Sequence, residues 1–190
     1  MKDGARVLGV DDASFSFEDN KTFLTGVVYR GTEFIEDIKT IPIKVDGENA
    51  TEKLVELHDK CNNPEQIKAL LVDGISFAGF NIIDLEKASE ELGKPVIAVT
   101  KNRPDREDFR DTMERTGNYD EKFEELEEPT EVDLKDGKAF IQFSGCKEEE
   151  AKDFVEASVM HGQVPEPVRV ADLIGSGTRP LRELIDSGFD

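Results

Sequence analysis

Two rhythms divide this sequence, and the change between them falls at Gly47. Before it come three strand signals joined by short links. "RVLGVDD" (Arg6–Asp12) is a short apolar run that ends on two carboxylates, and "TFLTGVVYRG" (Thr22–Gly31) is rich in β-branched and aromatic residues and closes on glycine. "KTIPIKVDG" (Lys39–Gly47) sets Ile41, Ile43 and Val45 on one face with period two. Short links between strands dictate a meander. Pro42 has no N–H to give a ladder, so the third strand belongs at a sheet edge or carries a bulge.

After Gly47 helix and strand patterns alternate. "ATEKLVELHDK" (Ala50–Lys60) has helical spacing at Leu54, Val55, Leu57 and His58, with Asn49 or Thr51 as its N-cap. "IKALLVDG" is a fourth strand, "NIIDLEKASEELGK" (Asn81–Lys94) a helix stopped by Gly93, and "PVIAVTK" (Pro95–Lys101) a fifth strand. Such alternation implies parallel strands with right-handed crossovers. The stretch 102–131 is nearly all charge and predicts one or two surface helices forming an insertion or flap. "VDLKDGKAFIQFSG" (Val132–Gly145) predicts a hairpin turning at Asp136-Gly137. Two helices follow, one over Glu148–Gly162 and a short one starting after Pro167.

Three strands, then helix, strand, helix, strand and helix, is the order of a ribonuclease H-like mixed sheet in one α/β domain spanning residues 1–190. A dinucleotide-binding fold would place a helix after the first strand, and no G-x-G-x-x-G follows Val10. The fourth and fifth strands are expected to run parallel to the first.

In this order the first and fourth strands are neighbours, and each ends on an aspartate. Adjacent strands lie about 4.8 Å apart, so Asp11 and Asp73 are placed to share one cation. For either aspartate alone the plainer account is turn chemistry, because Asp-Gly after a strand is a common turn. The loop beyond Asp73 is built of small residues, Gly74, Ser76, Ala78 and Gly79, and its Gly74 and Ser76 are candidates for substrate contact.

The formal net charge of −19 argues against sequence-blind nucleic-acid affinity over a broad basic surface. It leaves room for a nuclease working through bound cations and a local basic patch. No apolar run reaches the roughly 18 residues a bilayer span needs, so no membrane partner is expected. The start does not resemble a signal peptide, and the two cysteines, Cys61 and Cys146, read as reduced thiols of a cytoplasmic protein. With only two histidines, a zinc cluster is not expected.

The blocks "GVDDASF", "GVVYRG", "VDGENATEKL", "LVDGISFAGFNIID" and "PEPVRVADLIGSG" resemble an uncharacterised archaeal family, domain of unknown function ninety-nine, over nearly the whole chain. That family is similar to endonuclease V, a metal-dependent nuclease that cuts near deaminated purines. The blocks shared with endonuclease V are "LGVD", "IP" at Ile41-Pro42, "LLVDG", "PVIAVTK" and "PEPVRVAD". The resemblance implies that Asp11 and Asp73 hold Mg²⁺ or Mn²⁺ and that Lys101 faces the reacting phosphate. Hard divalent cations prefer carboxylate oxygens and water, and a lysine neutralises charge developing on phosphate.

The chain also departs from that pattern. The position of endonuclease V's catalytic glutamate is held by Asn49, an amide that makes a weak ligand, and Asp46, Glu48 and Glu52 stand near it as substitutes. Gly79-Phe80-Asn81 replaces His-Pro-Arg, and Cys146 stands where a metal-proximal histidine is expected. In the tail, Arg169 is a candidate for substrate contact, or a partner for Asp172 three residues on. Arg179 and Arg182 add positive charge nearby. These features imply a divalent-metal-dependent nuclease or phosphodiesterase acting on DNA or RNA. The alternative is an interaction module for nucleic acid or protein that kept the fold and lost the site.

Overall fold

The computed structural model describes residues 4–16 and 18–186, and of residues 122, 125 and 179–186 it describes the backbone alone. β1 (Arg6–Asp12), β2 (Lys21–Arg30) and β3 (Phe34–Lys44) form the antiparallel meander. α1 (Ala50–Asp59) leads to β4 (Ile67–Asp73), which lies parallel beside β1 with Val10 opposite Val72. A two-stranded ribbon follows, β5 (Ser76–Phe77) with β6 (Asn81–Ile82), then α2 (Leu85–Leu92) and β7 (Val96–Thr100), parallel to β4. Next come α3 (Arg106–Thr116), α4 (Lys122–Glu125), the hairpin β8 (Thr130–Leu134) and β9 (Gly137–Ser144), α5 (Glu148–Ser158) and α6 (Glu166–Asp186). The main sheet has seven strands in the order β3-β2-β1-β4-β7-β9-β8. β3 is thus an edge strand, as Pro42 requires.

Strand alternation assigns side chains to the two faces. Leu8 and Val10 of β1 and Leu70 and Val72 of β4 pack with Leu54 and Leu57 of α1 and with Ala88 of α2. Val7 of β1 and Ala69 and Leu71 of β4 pack on the other face with Phe154 and Val155 of α5 and Val168 of α6. The period of two therefore carries Asp11 and Asp73 to the α5–α6 face and Asp12 to the α1 face. Two glycines let α6 lie close on β1. A Cβ at Gly9 would fall 2.2 Å from the carbonyl carbon of Pro167, and one at Gly175 would fall 3.0 Å from the carbonyl oxygen of Asp12.

Several expectations need correction. Asn81 and Ile82 are strand, and α2 begins only at Leu85, where Asp84 caps it by accepting from the Lys87 N–H at 2.8 Å. Gly93 does end this helix, at φ 62°. The last helix is not short: α6 starts at Glu166 and runs 21 residues, Pro167 being tolerated in its first turn. Neither proposed cap of α1 caps it. Asn49 Oδ1 accepts from Asn81 Nδ2, Thr51 Oγ1 accepts from the Asp84 N–H, and the Ala50 N–H is met by Asn81 Oδ1 at 2.7 Å. A buried asparagine 32 residues away thus does the work expected of Asn49.

The charged stretch holds two helices, as expected, and it is tied down by aromatics. Phe109 meets Phe80 edge-on at 5.3 Å and stacks on Phe123 at 5.2 Å, while Met113 and Phe123 are fully buried. The Arg106 guanidinium lies over the Phe123 ring and donates to the carbonyls of Leu126 and Phe123 at 2.6 and 3.1 Å. That arginine staples the end of the segment to its beginning.

Candidate metal and nucleic-acid site

β1 and β4 run in register to Val10 and Val72, so the next residues, Asp11 and Asp73, follow side by side at the C-terminal ends of the strands, Asp11 still paired with Thr25 of β2 and Asp73 with Val99 of β7. Both line a cavity of about 430 Å³ with Thr100 and Lys101 from the end of β7 and Val168, Arg169 and Asp172 from α6. Three carboxylates therefore face one cavity, with Lys101 beside them. In the sequence Asp172 enters only as a candidate partner for Arg169, and the structure makes it the third carboxylate of this cavity. Arg169 instead pairs with Glu166, at 2.8 Å from Nε, and Asp172 accepts from Ser176 Oγ at 3.1 Å. The signal lay in "PEPVRVAD", whose last residue is this aspartate.

Burial, then the charges of Asp73, Asp12 and Asp172, push the Asp11 carboxyl up to about 8, against the pull of the Asp12 N–H that it accepts at 2.8 Å. Asp73 is raised by the protein packed around its inner side and by Asp172, with Lys101 pulling the other way, although its outer surface is open to solvent. Asp12 is raised by burial too, offset by the Ala78 N–H that its Oδ2 accepts at 2.5 Å. Carboxylates crowded in this way lack positive charge. A divalent cation suits the donor set, since carboxylate oxygens are the ligands hard cations prefer. Among the described residues no three His, Cys, Asp or Glu side chains converge tightly enough to be ligands of one ion as they stand. A cation at this site would have to draw Asp11, Asp73 and Asp172 together.

The other proposed ligands are not brought into this cavity. Asn49 and Glu48 line a separate hollow of about 520 Å³ with Lys44 and Asp46, and Glu52 is exposed in the first turn of α1. Asp46 is a turn residue at φ 48° and accepts from the Phe80 N–H at 3.0 Å. Cys146 is half-buried, its thiol pushed up to about 11 by burial and by Glu150. The side chains of Arg179 and Arg182 lie outside the described part.

Gly74 and Ser76 belong to a second, larger cavity of about 710 Å³. Phe15, Phe80, Phe109 and Phe123 supply its aromatic walls. Thr100 and Asn102 line both cavities, so the two share a wall at the end of β7. The pairing of an acid cavity with an aromatic one was not visible in the sequence, because Phe109 and Phe123 stood isolated in a run of charge.

A family model described as Endonuclease dU matches residues 3–179. A UPF0215 protein of Archaeoglobus fulgidus is 35% identical over 171 residues, covering 90% of this chain and 92% of that protein. Among solved structures, a protein of unknown function from the same organism superposes with a TM-score of 0.76 at 31% identity, covering 90% of this chain and 96% of the other. Endonuclease V of Ciona intestinalis, in complex with a 24mer DNA containing an inosine followed by a ribo-adenosine, superposes with a TM-score of 0.65 at 17% identity, over 94% and 87% of the two chains. The last likeness establishes the ribonuclease H-like fold.

Proposed function

The chain belongs to the endonuclease dU family, and from that premise we propose that it is a divalent-metal-dependent endonuclease hydrolysing a phosphodiester near a deaminated base. The observation that carries this reading is the meeting of Asp11, Asp73 and Asp172 with Lys101 in one cavity that shares a wall with an aromatic one. Mg²⁺ or Mn²⁺ held by the three aspartates would supply Lewis acidity and an activated water. Lys101 places positive charge where a phosphate must sit between carboxylates, and Arg169, anchored by Glu166, stands on the cavity's other wall.

The aromatic cavity takes the base. A nucleotide withdrawn from its stack regains that energy on aromatic faces, and the half-buried Phe80 and Phe109 offer them beside Gly74 and Ser76, with the buried Phe123 backing Phe109. The name of the family points to deoxyuridine, and the inosine in the endonuclease V complex is likewise a deaminated nucleoside. Cytoplasmic nucleic acid is the partner in this reading, with DNA and RNA both open.

The test is cleavage of labelled single-stranded and mismatched oligonucleotides containing uracil, inosine or neither, with Mn²⁺, beside an Asp73→Asn control. Cutting near the deaminated base that needs both Mn²⁺ and Asp73 supports the assignment. No cutting of any substrate removes it.

A second reading, an interaction module without catalysis, is favoured by Asn49, whose amide is engaged with Asn81 where an acid is expected. Thermal melting separates the two, because a cation that binds only the folded state raises the melting temperature. An unchanged melt at millimolar Mn²⁺ favours the module.

A further inference from the structure

Gln142 forms part of the wall between the aromatic cavity and a smaller one of about 230 Å³. It stands on β9 opposite Ala98 of β7 and is only 8% exposed. Its Nε2 donates at 2.6 Å to the carbonyl oxygen of Glu127, a residue that lines the smaller cavity and not the larger. Arg106 donates to the same carbonyl at 3.3 Å and to that of Leu126, which fixes the segment. The nitrogen arm of the planar amide is thereby committed to Glu127, which leaves the oxygen arm as the uncommitted polar end of a residue that also lines the aromatic cavity. Among the described residues no donor meets Oε1, nor is the atom sealed from solvent. An amide oxygen left without a donor from the chain, on a side chain this enclosed, is free to accept one from a bound molecule.

Deamination creates such a donor. Cytosine presents a ring-nitrogen lone pair at N3 and adenine one at N1, whereas uracil N3 and hypoxanthine N1 carry hydrogen. Resting on the reading that a base enters the aromatic cavity, we propose that Gln142 is the specificity-determining residue of that cavity, its Oε1 accepting the ring N–H that deamination produces. The bond to Glu127 stops the amide from turning over and offering its NH₂ to cytosine instead. Thymine carries the same ring N–H, so this oxygen separates uracil from cytosine and not from thymine.

The test is fluorescence anisotropy of single-stranded oligonucleotides carrying one uracil, cytosine or thymine, with Ca²⁺ in place of Mg²⁺ to hold the phosphate without turnover. The wild type is expected to prefer uracil over cytosine by on the order of tenfold, the worth of one buried hydrogen bond. Gln142→Met abolishes that preference and leaves the uracil-to-thymine ratio unchanged. Gln142→Glu loses the donor to Glu127 but keeps an acceptor, and it retains the preference. Equal loss in both variants makes Gln142 a tether for the Glu127 segment and overturns the proposal, as does a wild type blind to uracil against cytosine. A wild type that binds none of the three sinks the nuclease reading itself, and the proposal with it.

Discussion

Gly9 on β1 lies directly beneath Pro167 at the start of α6, so close that a Cβ would stand 2.4 Å from the proline Cβ and 2.2 Å from its carbonyl carbon. This contact sets the height of α6 over the sheet, and Asp172 rides on the second turn of that helix. Gly9→Ala must push the helix outward, because the obstructing atoms are backbone. Overpacking of this kind costs about 1–3 kcal/mol, which for a domain of this size lowers the melting temperature by several degrees. Cleavage measured well below the new melting point should fall as well, since Asp172 moves away from Asp11 and Asp73. Activity that stays intact in a folded Gly9→Ala protein would detach α6 from the site.

Much of this arrangement could be read from the sequence, for physical reasons. The strands of the meander and the alternating half were legible because period two and period 3.6 are local signals. Asp11 and Asp73 were legible because parallel neighbours in a known strand order bring their ends together. Asp172 was not, because its partner at i−3 offered a local explanation and only the glycine-mediated approach of α6 refutes it. The cap of α1 was missed for the same reason: Asn49 looks sufficient until Asn81 arrives from 32 residues away. Phe109 and Phe123 looked like stray apolar residues in a solvated segment, and only tertiary packing makes them a wall.

The raised Asp11 carboxyl predicts how stability follows pH when divalent cations are removed with chelator. Between about pH 4 and pH 8 the folded protein keeps a proton that the unfolded chain has released. Stability from this group is therefore complete below the ordinary aspartate value and is lost as pH rises toward 8, by at most about 1.4 kcal/mol per pH unit for one proton. Asp11→Asn should flatten this part of the profile, so the difference between the two melting curves isolates it. Mn²⁺ must displace the same proton, so the rise in melting temperature that it causes should grow from pH 6 to pH 8 in the wild type. A difference curve independent of pH would show that Asp11 titrates normally.

Asp172→Asn tests the ligand that the sequence did not reveal. Removing one negative ligand weakens a divalent site by about tenfold or more, on the order of 1.4 kcal/mol. The Mn²⁺-induced rise in melting temperature should shrink, while the melting temperature in chelator should hold or increase as repulsion among Asp11, Asp73 and Asp172 is relieved. These opposite signs distinguish a ligand from a structural residue, whose loss would lower both. The companion variant is Asn49→Asp. Its side chain is held by Asn81 and lines a different hollow, so Mn²⁺ affinity should not change. A clear gain there would return Asn49 to the metal site.

The last prediction concerns Asp12, the carboxylate that alternation sends to the opposite face from Asp11. Its Oδ2 accepts the Ala78 N–H at 2.5 Å, and Asp46, from the end of the meander, donates its N–H to the Ala78 carbonyl at 2.8 Å. Ala78 and Asp46 both sit at positive φ, 49° and 48°, where residues with a Cβ are strained. The two aspartates therefore hold a loop that would otherwise relax, and this loop supplies Gly74, Ser76, Gly79 and Phe80 to the aromatic cavity. Asp12→Ala leaves the Ala78 N–H without an acceptor, at about 1–3 kcal/mol. Asp12→Asn keeps an amide oxygen in place and should retain most of the stability. If the loop positions the base, Asp12→Ala should raise KM for a uracil-containing oligonucleotide more than it lowers kcat, and Asp12→Asn should restore KM. Equal kinetics in Asp12→Ala and the wild type would show that the loop holds its shape without this bond.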